Sequence, residues 1–363
     1  MKTRIILVAV LAIVFCLASQ SGFAADRTVV KKASQEEMNF SEAFWTPDKV
    51  RAAKPHPWYD EEADLGPKAK LFKNEPVGPP GSAPGARPSK TFGSYIVDEG
   101  QAAGGGESFA AGDSDSGISE EFGEDFGTKN VYDDTYVNGP SPTILQTQYP
   151  WKAIGKLFFR NLSGGTSSCT ASVISPNDII VTAAHCCYER GRGFYSNWRF
   201  YPAYRNGNAP LGNYGYVRAR VLTAWVNTGG RQNDVCVIRL NGDASARTGY
   251  LGRSWNYSIT QHHRAFGYPG NIGSGNYLIE CAAESYANCG SSLVYGMGCS
   301  QTYGASGGPW LRGFEMFKSG AYNYVNSVVS GWDGTCTGTF GQSFNGARFT
   351  TSNIVTLCNA EGC

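Results

Sequence analysis

Hydrophobic residues in the C-terminal part of the chain occur in short runs separated by turn-forming residues. The runs include TASVIS and IIVTAA, which PND separates, and later GYVRARVLTAWV, DVCVIRL, NSVVSGW and ARFTT. They are rich in β-branched and aromatic residues, and a helical period is scarce before TSNIVTL near the end. This pattern predicts an antiparallel all-β protein, either a barrel or a sandwich. Residues 130–363 number 234, a usual length for one such unit.

Residues 25–129 differ in composition and show little sustained apolar periodicity. They are rich in proline, glycine and charge, as in VGPPGSAPGARPSK, which predicts a largely flexible segment. Their net charge is −7, whereas residues 130–363 carry +6, so the two parts attract one another. We interpret the segment either as a solvated linker or as a propeptide that covers the cationic domain until cleavage near Lys129.

The N-terminus has the features of an export signal. Two basic residues precede an apolar stretch at 5–18, and small residues lead to Ala24. This predicts a signal peptide over residues 1–24, because the apolar run is short for a membrane anchor. The bulky Phe15 argues against lipidation of Cys16. We therefore expect a secreted or periplasmic protein with no stable membrane insertion after the signal is removed.

Export changes the interpretation of the cysteines. Of eleven cysteines, ten remain after loss of the signal, and an even number in an oxidising compartment favours disulfides over metal ligands. The adjacent His185, Cys186 and Cys187 suggest zinc, but no spaced second pair of ligands completes a site. The sequence therefore predicts no metal and no cofactor.

Ser306 lies in the glycine-rich stretch TYGASGGPW. Such a run allows a sharp turn and exposes a nucleophile, and it also fits the Gly-x-Ser-x-Gly turn of α/β-hydrolases. In that fold the histidine follows the serine, but all four histidines here precede Ser306. An ordinary glycine-rich turn remains the alternative.

Three motifs place His185 in VTAAHCC, Asp234 in NDVCVIRL and Ser306 in GASGGP, in that order. Together they resemble the chymotrypsin-like serine peptidases over roughly Tyr149–Leu357. YPWKAIGKL, YRNGN, GYPGN and TYG are similar to the bacterial glutamyl endopeptidase branch. The resemblance implies an all-β fold of two antiparallel six-stranded β-barrels with a short C-terminal helix and a catalytic cleft between the barrels.

The resemblance also implies the roles of the site residues. Ser306 would be the nucleophile, His185 its base, and Asp234 the group that orients the imidazole. The amides of Gly304 and Ser306 would form the oxyanion hole. Ala305 replaces the aspartate that pairs with a new α-amino terminus in other family members, so that activation switch is not expected.

The resemblance predicts a neutral substrate pocket. Ser300 stands at its base, which gives no support for arginine or lysine, and Val329 stands where glutamyl enzymes carry a histidine. Trp332 either fills the pocket mouth or packs in the core. The predicted pocket residues are Ser300, Gln301, Tyr303, Val329, Ser330, Gly331 and Trp332.

Disulfide connectivity cannot be deduced from sequence alone. The resemblance implies Cys169–Cys186 and Cys299–Cys336. The remaining pairs expected from proximity and elimination are Cys281–Cys289, Cys358–Cys363 and Cys187–Cys236.

The predicted function is a secreted serine endopeptidase that hydrolyses polypeptides through an acyl-enzyme. We expect a monomer that does not bind nucleic acid. The alternative is a catalytically inert protein of the same fold that binds or scaffolds.

Overall fold

The computed structural model describes residues 27–65, 77–89, 134–137, 145–333 and 343–363. The predicted signal peptide, Lys129 and Cys336 lie outside the described residues. Among the helices of the described part, none combines the length and apolar character needed to cross a membrane.

The N-terminal part contains short strands and helices with clear local signals. The Ser34 hydroxyl accepts a hydrogen bond from the Glu37 amide at 3.1 Å, and Thr46 caps the next helix, which begins at Pro47. In chain order the elements are β1 (Thr28–Lys32), α1 (Gln35–Phe44), α2 (Pro47–Ala52), β2 (Lys54–Pro55), α3 (Glu61–Leu65), β3 (Gly81–Ala83) and β4 (Thr135–Tyr136).

The first half of the peptidase-like region is a closed barrel. Its elements are β5 (Ile154–Arg160), β6 (Thr166–Ser175), β7 (Ile179–Thr182), β8 (Tyr188–Glu189), β9 (Gly193–Phe194), β10 (Ser196–Pro202), β11 (Tyr214–Leu222), α4 (Thr223–Thr228), β12 (Cys236–Leu240) and α5 (Ala244–Thr248). Six strands follow the order β11-β10-β5-β6-β7-β12, and pairing of β11 with β12 closes the ring. Phe158, Trp198 and Phe200 of this half are fully buried.

The second half is a further antiparallel sheet. Its elements are β13 (Gly252–Trp255), β14 (His262–Gly267), β15 (Ile279–Glu284), β16 (Tyr286–Ala287), β17 (Val294–Met297), β18 (Pro309–Arg312), β19 (Tyr324–Asp333), β20 (Ser343–Arg348) and α6 (Thr356–Glu361). Six strands follow the order β17-β20-β19-β18-β14-β15. The chymotrypsin-like prediction is confirmed, with one correction. In the described residues β15 and β17 do not pair, so this sheet is a half-barrel and not a closed ring.

The described N-terminal residues are ordered against both halves, which differs from the predicted flexibility. Strand β1 pairs with β11 over five residues, β2 pairs with β6, and β3 pairs with β13. The Trp45 indole is buried and donates to the Asn197 carbonyl oxygen at 2.7 Å. Among the described residues of this segment, Trp45, Val50, Ala53 and Tyr59 are buried in the same cluster as the barrel residues. The barrel therefore supplies the strand edges and apolar surface that order them.

In the ranges that the structure describes, an ion pair joins the acidic N-terminal part to the cationic domain. The Asp64 carboxylate forms an ion pair with Arg190 of the first barrel. A partly exposed ion pair contributes little to stability compared with added strands and buried aromatic rings. Among the described residues, the docking therefore depends mainly on backbone pairing and apolar burial.

Candidate active site

Paired strands bring His185 and Asp234 together. His185 lies in a short turn after β7, Asp234 lies just before β12, and Thr182 of β7 is the register partner of Cys236 of β12. His185 Nδ1 lies 2.8 Å from Asp234 Oδ2, and the His185 amide donates to Oδ1 at 2.8 Å. This arrangement holds the imidazole in one orientation, with Nε2 directed away from the carboxylate.

Asp234 is fully buried and receives another donor from the second half of the molecule. The Ser330 hydroxyl donates to its Oδ2 atom at 2.6 Å. A buried carboxylate is costly unless its oxygens accept hydrogen bonds, and these donors satisfy that requirement. The sequence placed Ser330 in the substrate pocket. The structure shows that its hydroxyl supports Asp234, a role that no local motif indicated.

The turn at Ser306 is held by backbone contacts with neighbouring strands. The Thr170 amide donates to the Ser306 carbonyl oxygen at 2.8 Å, and the Gly307 amide donates to Val329 at 2.8 Å. Gly307 has a φ of +79°, and a Cβ atom there would lie 1.9 Å from the Thr182 hydroxyl oxygen. Only glycine fits this position, which explains the glycine after the serine.

The third link of the predicted triad is not formed in this structure. Ser306 Oγ and His185 Nε2 are both buried and lack a hydrogen-bond partner within the described residues. The predicted mechanism transfers a proton directly between this serine and this histidine.

The surroundings include an N-terminal stretch, Lys54–Tyr59, which we call the cleft segment. The Gly304 amide, one of the expected oxyanion donors, donates to the His56 carbonyl oxygen at 3.3 Å. The His56 ring lies nearly parallel to the His185 ring, with centroids 5.9 Å apart. The cleft segment therefore covers both the histidine and an oxyanion donor.

Several contacts hold the backbone and the ring of His56 in place. The His56 amide donates to the Ser168 carbonyl oxygen at 2.8 Å, and Tyr195 Oη lies 3.4 Å from His56 Nε2. The ring also packs edge-on against Phe159, 5.0 Å away. Burial of the ring lowers the His56 pKa to about 3, with a smaller contribution from His185.

Tyr59 anchors the end of the cleft segment. Its hydroxyl donates to Asp64 Oδ2 at 2.7 Å and accepts from the Gly230 amide at 3.1 Å. Its ring lies 4.7 Å from the Trp225 ring and 6.5 Å from the His185 ring. No local pattern in the sequence indicated this arrangement, because KPHPWY has neither a helical nor a strand period.

The sequence model of the trypsin family matches residues 145–346, more than half of the chain. The chain belongs to the trypsin family. This match spans His185, Asp234 and Ser306, so the family assignment and the observed geometry concern the same part of the molecule.

Solved structures support the trypsin-family fold. Protease Anisep from Arthrobacter nicotinovorans is 28% identical and covers 59% of this chain and 96% of its own, with a TM-score of 0.51. Serine protease AL20 from an extremophilic microorganism is 23% identical, covers 58% and 97%, and has a TM-score of 0.51. A Glu endopeptidase in complex with MPD is 21% identical, covers 65% and 100%, and has a TM-score of 0.52. The last two show the fold alone, so the glutamyl branch stays a prediction.

A curated relative from Bacillus subtilis (strain 168) is named extracellular metalloprotease. It is 28% identical over 180 residues, which are 47% of this chain and 54% of the relative. This trypsin-family chain therefore spans about half the length of that relative. The word metalloprotease describes that relative. In this chain, potential metal-ligand side chains come together at two places among the described residues.

Two groups of potential ligand atoms lie close together. They are Cys169 with His185 and Cys186, and Asp134 with Cys281 and Cys299. In each group the two cysteines are bonded to one another. A thiolate is the form of cysteine that binds metals, so each group retains only one ordinary ligand side chain.

The disulfides require a correction. The Cys169–Cys186 pair implied by the resemblance is present, as are Cys187–Cys236 and Cys358–Cys363. Cys299 is bonded to Cys281, so the predicted pairs Cys299–Cys336 and Cys281–Cys289 are wrong. The fold places the Cα atoms of Cys281 in β15 and Cys299 6.0 Å apart, a distance that a disulfide can span. The pairing of Cys281 with Cys289 was expected because they are only eight residues apart in the chain, but spatial distance decides which cysteines bond. Cys289 is itself disulfide-bonded.

Apart from Ser330, the predicted pocket residues fall into three groups. Tyr303, Gly331 and Trp332 contact the cleft segment at Trp58. Gln301 and Val329 are buried beneath them. Ser300 is exposed, and its amide and hydroxyl donate to Asp134 Oδ2 at 2.7 and 2.5 Å. The carboxylate beside the predicted neutral base comes from a remote part of the chain, which sequence offsets could not reveal.

Ala305 packs in an apolar cluster of the second half. It is fully buried, with Val329 and Trp310 in the same cluster. An aspartate at this position would have to be ionised in that apolar setting, at a large cost without a partner. The absence of an aspartate switch in this trypsin-family chain stays a prediction that this packing supports.

Proposed function

We propose that this chain is an exported serine endopeptidase that uses Ser306, His185 and Asp234 to hydrolyse polypeptides. The observation that carries the proposal is the buried pair of His185 and Asp234 in the cleft that also contains Ser306 and the Gly304 amide. Family membership supports the same assignment.

In the first step, Ser306 Oγ attacks the carbonyl carbon of the substrate and its proton passes to His185 Nε2. The amides of Gly304 and Ser306 receive the negative oxygen of the tetrahedral intermediate. The C–N bond then breaks, and the proton on His185 passes to the leaving amine. An acyl group remains on Ser306.

In the second step, water attacks the acyl carbon while His185 accepts its proton. The bond to Ser306 Oγ breaks, the serine recovers its proton from His185, and the carboxylic acid leaves. Asp234 stabilises the imidazolium that forms in each step, and Ser330 keeps the Asp234 carboxylate in position.

The same proposal includes a latent precursor. Residues 1–24 act as the signal peptide and residues 25–129 as a propeptide, with cleavage close to Lys129 and residues 130–363 as the mature enzyme. The contacts of the cleft segment with His185 and Gly304 support this assignment, because a substrate needs the same two groups. The residue that follows His56 in the cleft segment is Pro57. Proline lacks the amide hydrogen that other residues have, and its ring fixes φ.

Export rests on two supporting observations. Disulfides persist mainly in oxidising compartments, and the described residues contain several. The curated relative is named extracellular, a word that describes that protein. Polypeptides are the proposed substrates.

The test compares two secreted proteins from the same host, both cleaved near Lys129, namely the wild type and its Ser306→Ala variant. We expect peptide hydrolysis and fluorophosphonate labelling in the first and neither in the second, with equal folding by circular dichroism. Hydrolysis that persists in Ser306→Ala would identify another nucleophile. A folded, processed wild-type protein that neither labels nor hydrolyses would favour the inert scaffold alternative.

A further inference from the structure

We propose that the pocket beside Ser306 selects a large aromatic side chain on the residue whose carbonyl is attacked, and that Trp58 of the cleft segment occupies this pocket in the precursor. This inference rests on the proposed peptidase function and names its substrate class.

The Trp58 indole lies among aromatic side chains of the second half. Its ring centroid is 5.6 Å from that of Tyr303, 6.2 Å from Trp332 and 6.2 Å from Phe344. A Cβ atom at Gly331 would lie 3.4 Å from Trp58 Cβ, so the backbone of the cleft segment passes close to this glycine. Aromatic rings at these separations attract one another beyond simple burial.

The position of this pocket follows from its two walls. Tyr303 directly precedes Gly304, whose amide is an oxyanion donor, and the opposite wall continues from Ser330, which bonds to Asp234. A substrate carbonyl at Gly304 therefore has this pocket as its neighbour. In the cleft segment, the carbonyl comes from His56 whereas the indole comes from Trp58. Two different residues engage the two subsites, which is a non-productive arrangement.

The chemistry of the walls favours an uncharged, flat side chain. Trp58 packs against aromatic rings and passes beside Gly331, and the cluster beneath contains Val329 and Ala305. One cation also reaches this wall, since the Arg231 guanidinium would lie 2.5 Å from a Cβ atom at Gly331 and would favour glutamate if it faced the pocket. Transfer of an ionised side chain into such surroundings is costly without a counter-charge. The Asp134 carboxylate at Ser300 is the described acidic group that competes with this assignment, because it would favour lysine or arginine if it faced the pocket.

The first experiment uses the protein secreted from the full-length gene and chromogenic peptides that differ only in the residue before the scissile bond. We expect kcat/KM for phenylalanine, tyrosine and tryptophan to exceed that for alanine, glutamate, lysine and arginine by about ten- to a hundredfold. Active enzyme is counted by fluorophosphonate titration of Ser306. A maximum at lysine or arginine, or at glutamate, overturns the inference.

The second experiment measures the rate at which a fluorophosphonate labels Ser306 in the uncleaved full chain. Trp58→Phe should label about as slowly as the wild type, whereas Trp58→Lys and Trp58→Glu should label at least about tenfold faster. Phe40→Lys is the matched control, because Phe40 is an exposed aromatic residue of the same N-terminal part. Slow labelling of Trp58→Lys would show that the pocket accepts a cation and would overturn the inference.

The two proposals fail in distinguishable ways. Absence of labelling in every form would remove the peptidase function and the pocket assignment with it. Normal labelling with a non-aromatic preference would remove only the pocket assignment. The Asp134→Asn variant tests whether the Asp134 carboxylate sets the preference instead. It should leave an aromatic preference unchanged, and it should abolish a preference for lysine.

Discussion

The Gly304 amide donates its hydrogen bond to the His56 carbonyl oxygen at a distance of 3.3 Å. These residues are far apart in the chain, and one belongs to the proposed oxyanion hole while the other belongs to the cleft segment. The contact places an N-terminal peptide group where a substrate carbonyl would bind. This contact supports the proposal that the uncleaved chain is inactive, and it is accompanied by a Ser306–His185 link that is not formed.

Replacement of His56 by alanine should weaken this block. The variant loses the ring that covers His185 and the contacts to Tyr195 and Phe159. We expect the uncleaved His56→Ala chain to react with a fluorophosphonate about tenfold faster than the wild type, as the loss of about 1.4 kcal/mol of docking free energy implies. Phe40→Ala, an exposed change in the same N-terminal part, should leave the rate unchanged. Equal rates for wild type and His56→Ala would contradict a blocking role.

Mild acid should release the cleft segment. The pKa of His56 is about 3 when docked, against an ordinary value of 6.5, so the released state binds the proton more readily. Docking is therefore most stable above about pH 6.5 and weakens by about 1.4 kcal/mol per pH unit as the pH falls towards 3. Limited proteolysis of the Ser306→Ala chain between pH 7.5 and 5 should show increasing cleavage within Lys54–Tyr59. His56→Gln is the control, because it removes the imidazole of His56, and a pH profile identical to that of the parent chain would assign the release to another group.

Ser330→Ala should reduce turnover more than substrate affinity. The variant removes the hydroxyl that donates to Asp234 at 2.6 Å and leaves one carboxylate oxygen with fewer donors. A hydrogen bond to a charged group contributes about 1.5–3 kcal/mol, so kcat should fall by at least about tenfold with KM nearly unchanged. Ser327→Ala is the matched control on the same strand, since that hydroxyl donates to the Ala347 carbonyl oxygen. Equal losses in the two variants would point to general destabilisation.

Gly307→Ala should destabilise the fold. The new methyl group would lie 1.9 Å from the Thr182 hydroxyl oxygen in a close-packed region, and φ is positive. We expect a loss of about 3 kcal/mol in the free energy of unfolding, measured by urea denaturation. Gly313→Ala is the control, because Gly313 also has a positive φ of +59° but has open space around it. Its cost should be limited to backbone strain of about 1 kcal/mol. Similar midpoints for the two variants would show that the turn accommodates the methyl group.

The sequence alone predicted the β-class, which the structure confirms, and it indicated three catalytic residues that stay a prediction. Short apolar runs between turn-forming residues favour strands. The resemblance of three motifs to the chymotrypsin-like peptidases indicated His185, Asp234 and Ser306, whose residue types suit a nucleophile, its base and an orienting acid. These features are local in the chain. They depend on residue type and on spacing within a few positions, which a single sequence displays directly.

The tertiary structure decided the features that depend on distances between remote residues. Ser330 reaches Asp234 across the two halves, Cys281 bonds to Cys299, and the cleft segment lies over His185. No periodicity in residues 25–129 indicated that the cleft segment docks in this way. The strand edges and apolar surfaces that hold the segment belong to the two halves of the peptidase domain. Their burial free energy exists only after the barrels have formed, so it leaves no local pattern in the segment itself.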